Sequence, residues 1–80
     1  MIKVDVRLYG SLKELIRGEE ADRPLVIELR GETTLEQLLV SLGISVEEVV
    51  VTLVNGYAER LDYSLNDGDV VDVFPPPIGG

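Results

Sequence analysis

GETTLEQLLVSLG, residues 31–43, carries the clearest helical pattern in the chain. Leu35, Leu38, Leu39 and Leu42 fall at i, i+3, i+4 and i+7, so they form one apolar stripe. Thr33 with Glu36, or Thr34 with Gln37, has the spacing of a capping box, and Gly43 is a natural stop. A helix with one stripe has one surface to bury, and here it has to cover one face of a sheet.

The flanks supply that sheet. Upstream, LVIELR alternates, with Leu25, Ile27 and Leu29 pointing one way. IKVDVRL does the same with Ile2, Val4, Val6 and Leu8 against Lys3, Asp5 and Arg7. Both patterns predict half-buried strands, paired as a hairpin. Between them SLKELIRG predicts one short helix. Ser11 and Glu14 sit at capping-box spacing, Leu12, Leu15 and Ile16 share a face, and Gly18 ends it. Residues 19–24, EEADRP, are polar and turn-like.

Downstream, VVVTLVNG predicts a β-branched strand entered through a polar turn at Glu47-Glu48 and closed by Asn55-Gly56, a strong hairpin signal. Tyr57–Arg60 is expected to return as a short strand, and Leu61–Asp69 to form a loop with a tight turn at Asp67-Gly68. VVDVF, residues 70–74, is the last strand, with Val71 and Val73 on one face and Val70, Asp72 and Phe74 on the other. Pro75 lacks an amide donor and ends the ladder. The resulting order, β-β-α-β-β-β with an extra short helix after strand one, is an α+β pattern. A hairpin, a crossing helix and a last strand able to pair parallel to the first describe a β-grasp, or ubiquitin-like, sheet of four to five strands. One sheet face lies under the main helix. Phe74, Val70 and parts of strand three are expected on the open face as an apolar patch.

Composition narrows the function. The chain has 80 residues, no cysteine, no histidine and a formal net charge of −8. Disulfides, thiolate metal sites and His-dependent nucleophile arrangements are excluded. The acidity argues against nucleic acid or anionic membrane as partners. Residues 44–80 contain seven acids against Arg60 alone, so a partner receiving that end should present a basic surface. The start MIKVDV has no signal-peptide core, and the longest apolar run, Val49–Val54, is too short to span a bilayer; a cytoplasmic location is expected. Domain organisation is expected to be a single domain over 1–74 with a flexible C-terminal tail over 75–80.

Few side chains are suited to chemistry. Asp67 and Asp69 read as a solvated turn, because the loop lacks the ligand count and spacing of a calcium site. Tyr57 and Tyr63 read as hairpin packing. The reactive group that stands out is the Gly80 carboxylate, which needs activation, most simply by ATP to an acyl-adenylate. The six residues after Phe74, extended, reach roughly 20 Å. Pro75, Pro76 and Pro77 favour polyproline II, which projects a tail at reduced entropic cost on binding. Ile78 offers an apolar anchor, and Gly79 and Gly80 fit a narrow channel and accept any backbone angle.

NDGDVVDVFPPPIGG resembles the C-terminal signature of the MoaD/ThiS-type ubiquitin-like sulfur carriers. VRLYGSLKEL is similar to the opening of the molybdopterin synthase small subunit, and TTLEQLLVSL and VNG lie where that family has its helix and following hairpin. The resemblance covers essentially all 80 residues. It implies that a ubiquitin-activating-type adenylating enzyme uses ATP and magnesium to adenylate Gly80, with neither bound by this chain. A persulfide donor then yields a Gly80 thiocarboxylate. The acceptor it implies most directly is the large subunit of molybdopterin synthase, holding a pterin precursor. Thiamine, tRNA thiolation, a tungsten cofactor or lysine conjugation are alternative endpoints. Gly80 maps to the activated residue, Gly79 to its channel partner, and Phe74, Pro75, Pro76, Pro77, Ile78 and Val70 to partner binding. On this resemblance the chain has no independent catalytic site and acts as small subunit or co-substrate of a sulfurtransferase.

Overall fold

A computed structural model describes residues 1–15, 25–46 and 51–75 of the chain. The turn expected over 19–24, Ile16, Gly18, the Glu47-Glu48 turn, Val49, Val50 and the tail residues Pro76, Pro77, Ile78, Gly79 and Gly80 lie outside them. Five strands form one sheet: β1 (Ile2–Leu8), β2 (Leu25–Leu29), β3 (Val51–Val54), β4 (Tyr57–Ala58) and β5 (Val70–Phe74). Their order across the sheet is β2-β1-β5-β3-β4. β1 pairs parallel to β5, and the other pairings are antiparallel. The helix α1 (Leu35–Ser41) crosses one face. This is the α+β β-grasp arrangement that the sequence pattern predicts.

Register makes one face largely apolar at its centre, with Thr52 beside Val73 as its buried polar residue. Val6 stands beside both Leu25 and Val71, Leu8 beside Val73, and Val54 beside Val71. Val4, Val6, Val71 and Val73 are fully buried there, against Leu35, Leu38 and Leu39 of α1. The period-2 pattern of the strands and the period-3.6 stripe of the helix thus meet in a single core.

Both ends of α1 are closed by named groups. Thr34 and Gln37 form the capping box, the second of the two expected pairs. The remaining first-turn donors are met by the 61–65 loop: the Leu35 amide donates to the Tyr63 carbonyl and the Glu36 amide to that of Leu61. The far end is a Schellman motif. Ile44 donates to the Leu39 carbonyl and Gly43 to that of Val40, with Gly43 at φ +81°.

Three expectations change. The segment after β1 is a 3₁₀ helix over Gly10–Leu15, begun one residue before Ser11, so Ser11 is not its cap. β1 stays paired through Tyr9, whose amide donates to the Val73 carbonyl, and the tighter 3₁₀ path then brings Leu12 under the core at once. The return strand is two residues, not four. Tyr57 on it is 75% exposed and not packed, because β4 is an edge strand with both of its residues exposed.

The third correction concerns the NDGD turn. Asp69 is buried, not solvated. Its carboxylate accepts from the Asn66 amide at 2.8 Å and from Asn55 Nδ2 at 2.9 Å. Asn55 Oδ1 in turn accepts from the Val70 amide at 2.9 Å. Asn55 is therefore both a positive-φ residue of the β3–β4 turn, with Gly56, and a cross-link to β5. Asp67 accepts from the Lys3 amide at 2.7 Å, and the Gly68 amide donates back to the Lys3 carbonyl at 2.8 Å. The turn stitches the chain's end to its start. Tyr63, by contrast, packs against the core.

Leu38→Ala should lower unfolding free energy by about 2–5 kcal/mol in urea melts. Asp69→Ala should cost about 1–3 kcal/mol by leaving the Asn66 amide and Asn55 without an acceptor. Losses below about 0.5 kcal/mol would contradict the assigned packing.

Candidate functional site

The alternation that buries one face leaves the other to a mixed set of side chains. On the open face register sets Lys3 beside Glu28, Asp5 beside Val26 and Val70, Arg7 beside Asp72, Leu53 beside Asp72, and Val51 beside Phe74. Of the residues expected there, Val70 and Phe74 are present and half-buried, and Leu53 and Val51 of β3 join them. Val51 is 41% exposed and Val26, on the edge strand, 62%. The expected apolar patch therefore exists, in two parts.

Between the parts lies a polar cluster. Arg7 Nε donates to Asp72 Oδ1 at 2.6 Å and Nη2 to Oδ2 at 3.0 Å, a two-pronged pair across the parallel strands. The Tyr9 hydroxyl adds a bond to Oδ1 at 3.1 Å. These partners bury Asp72 to 6% although its strand position faces outward. Hydrogen bonding to Asp72, reinforced by its charge, raises the Arg7 pKa and keeps the guanidinium protonated. Burial, aided by the bond to Asp72, raises the Tyr9 phenol above its usual range. With the carboxylate neutralised, the centre of this face is a compact polar plate flanked by apolar groups.

The plate leads into the root of the C-terminal segment. The Tyr9 ring stacks on Phe74, with centroids 4.4 Å apart and planes 12° from parallel. Such an offset aromatic contact adds about 0.5–1.5 kcal/mol beyond burial. Pro75 follows, half-buried, at the point where β5 ends. Pro76, Pro77, Ile78, Gly79 and Gly80 lie outside the described residues. Sequence reading missed Arg7, Tyr9 and Asp72 as a unit. The available signal was an arginine and an aspartate both on open-face positions of two strands expected to pair in parallel.

No group of three or more acids among the described residues is placed to hold a metal ion, and no helix among them is long and apolar enough to cross a membrane.

The family model described as Mut7-C ubiquitin matches residues 1–77. No curated protein matches the sequence. Solved structures match across nearly the whole chain. A protein assigned as subunit 1 of a molybdopterin converting factor from Pyrococcus furiosus has a TM-score of 0.74 at 26% identity, covering 96% of this chain and 100% of that one. Small archaeal modifier protein 1 of Haloferax volcanii has 0.74 at 21%, with 96% and 100% covered. A chain from the complex of subunits 1 and 2 of the Helicobacter pylori molybdopterin-converting factor has 0.62 at 23%, with 99% and 100% covered. At the two lower identities the likeness is one of fold.

An ultraviolet titration of the native chain minus that of Tyr9→Phe should isolate a phenol ionising above about 10. Because the fold favours neutral Tyr9, its contribution to stability is whole below the ordinary phenol pKa and is lost as pH rises through the raised one. A Tyr9 transition at or below the ordinary value would contradict the half-buried, Asp72-bonded hydroxyl.

Proposed function

We propose, from the premise that this chain belongs to the Mut7-C ubiquitin family, that it is a sulfur carrier working through Gly80. One observation carries the reading. β5 delivers Phe74 and Pro75 to the rim of the sheet, held there by Tyr9, and the sequence continues as Pro76-Pro77-Ile78-Gly79-Gly80. A folded body with an anchored root followed by two prolines and two glycines suits presentation of a reactive end to another protein. The likeness to the Pyrococcus furiosus converting-factor protein favours molybdopterin synthesis as the destination.

The chemistry proceeds on the partner. The Gly80 carboxylate attacks the α-phosphate of magnesium-bound ATP, pyrophosphate leaves, and the acyl-adenylate forms. The outer sulfur of a protein persulfide attacks the carbonyl and displaces AMP, giving an acyl disulfide. A thiol of the partner, losing its proton, attacks the donor cysteine's sulfur in that disulfide. A new disulfide forms on the protein side and the Gly80 thiocarboxylate leaves, its sulfur a good nucleophile toward a pterin precursor on a synthase large subunit. ATP, magnesium and the persulfide belong to the adenylating enzyme and the sulfur donor, in the cytoplasm. Gly79 and Gly80 thread the partner's channel, while Ile78, Phe74 and Val70 contact its apolar wall. The polar plate sets the orientation of docking, since a partner has to satisfy Arg7 and Tyr9 while it covers the flanking valines.

Isolated from its native cells, the chain should include a species about 16 Da heavier, from exchange of one oxygen for sulfur. Removing Gly79 and Gly80 should abolish that species and leave the thermal melt unchanged. A mass extending beyond Gly80, or Gly-Gly branches on lysines of other proteins with no heavier species, would overturn the carrier reading, the latter in favour of a protein modifier.

A further inference from the structure

Three contacts converge just before the C-terminal segment. The Tyr9 amide donates to the Val73 carbonyl at 3.1 Å and so carries the β1–β5 pairing one step past Leu8. The Tyr9 ring lies on Phe74, and its hydroxyl is tied to Asp72. Gly10 then runs directly against Pro75. A Cβ at position 10 would stand 2.8 Å from Pro75 Cγ and 3.4 Å from its Cδ, the first closer than such atoms approach. Gly10 is also at φ +58°, a backbone conformation that favours glycine and strains alanine. Other positive-φ glycines differ in this respect: at Gly56, φ +88°, an added Cβ meets nothing within 4 Å.

We propose that Tyr9 and Gly10 are positioning residues that seat Pro75 and thereby set the direction in which the C-terminal segment leaves the domain. The inference rests on the carrier reading for its purpose, and on the packing around Pro75 for its existence. Proline fixes its own φ. With the ring held against Gly10 and the preceding Phe74 held by Tyr9, the chain direction at residue 75 is determined from both sides. Small errors there grow with distance. Over a reach of roughly 20 Å, a turn of about 10° displaces the tip by about 3.5 Å. A misplacement of about 1 Å at a reacting group costs on the order of 100-fold in rate.

The test uses the full chain. It has no cysteine, so Gly80→Cys accepts a single nitroxide, whose paramagnetic broadening of backbone amides reports where the tip dwells. Gly10→Ala should redistribute that broadening among the amides of Leu12, Val51 and Leu53, while Gly56→Ala, strained but clear of Pro75, leaves it as in the parent. Tyr9→Leu should shift it in the same way, and Tyr9→Phe, which keeps the ring stack, should restore the parent profile. Without the label, thiocarboxylate yield in native cells should fall at least about tenfold for Gly10→Ala and stay within about twofold for Gly56→Ala. That loss should vanish when Pro75 is already alanine, the non-additivity expected of residues in contact. Superimposable broadening profiles for the parent and both Gly10→Ala and Tyr9→Leu would overturn the proposal, as would equal losses from Gly10→Ala and Gly56→Ala. If the parent itself never carries the thiocarboxylate, the carrier reading fails, and the nitroxide profiles alone decide the seating of Pro75.

Discussion

The parallel pairing of β1 with β5 is the constraint on which everything else depends. It joins the first and last strands of the chain, setting Val6 beside Val71 and Leu8 beside Val73 on the inner face. On the outer face the same register sets Arg7 beside Asp72. Parallel neighbours cannot be joined by a tight turn, so the intervening chain has to cross the sheet, and α1 does this with its leucine stripe inward. The core and the polar plate are two sides of one register. A slip of one residue would send Val71 and Val73 to solvent and Asp72 into the leucines.

A pairing between the two ends of a chain carries a large loop-closure cost, which has to be offset locally. The NDGD turn does this with hydrogen bonds that replace water. Asp67 and Gly68 grip the backbone of Lys3, and Asp69 grips Asn55 and the Asn66 amide. Tyr9, Gly10, Phe74 and Pro75 close the opposite end of the same strand pair. β5 is thus clamped at its entry by a carboxylate network and at its exit by aromatic and glycine–proline packing. The contact at Pro75 lies on the strand that leads toward the residues the carrier reading makes reactive, so stability and presentation use one strand.

The fold was legible because each element depends on local periodicity. Alternation marked β1, β2 and β5, the leucines of 35–42 marked α1, and Asn55-Gly56 marked the hairpin. What sequence reading missed depends on contacts between distant residues. Asp69 looked like a solvated turn residue because nothing nearby in sequence indicates that Asn55 reaches it across the sheet. Asp72 was placed on the correct face, but its burial comes from Arg7 and Tyr9, more than sixty positions away. Tyr57 was expected to pack because hairpin aromatics often do, whereas it stands on a two-residue edge strand whose residues are both exposed. The start of the Gly10–Leu15 3₁₀ helix follows a long-range contact, the Tyr9 amide on the Val73 carbonyl, which no local propensity encodes. For the candidate site, the tail was read from its composition and its root from the fold.

The most direct test of the central claim exploits the absence of cysteine. A thiocarboxylate is the one strong sulfur nucleophile this chain can carry at neutral pH, so brief iodoacetamide treatment of protein freshly isolated from its native cells, followed by peptide mapping, reads it out. A sulfur carrier gives a single adduct, on the peptide ending at Gly80, lost when the sample is first hydrolysed to the carboxylate. Unmodified Gly80 in every preparation, or a peptide that continues past it, would contradict sulfur carriage at Gly80.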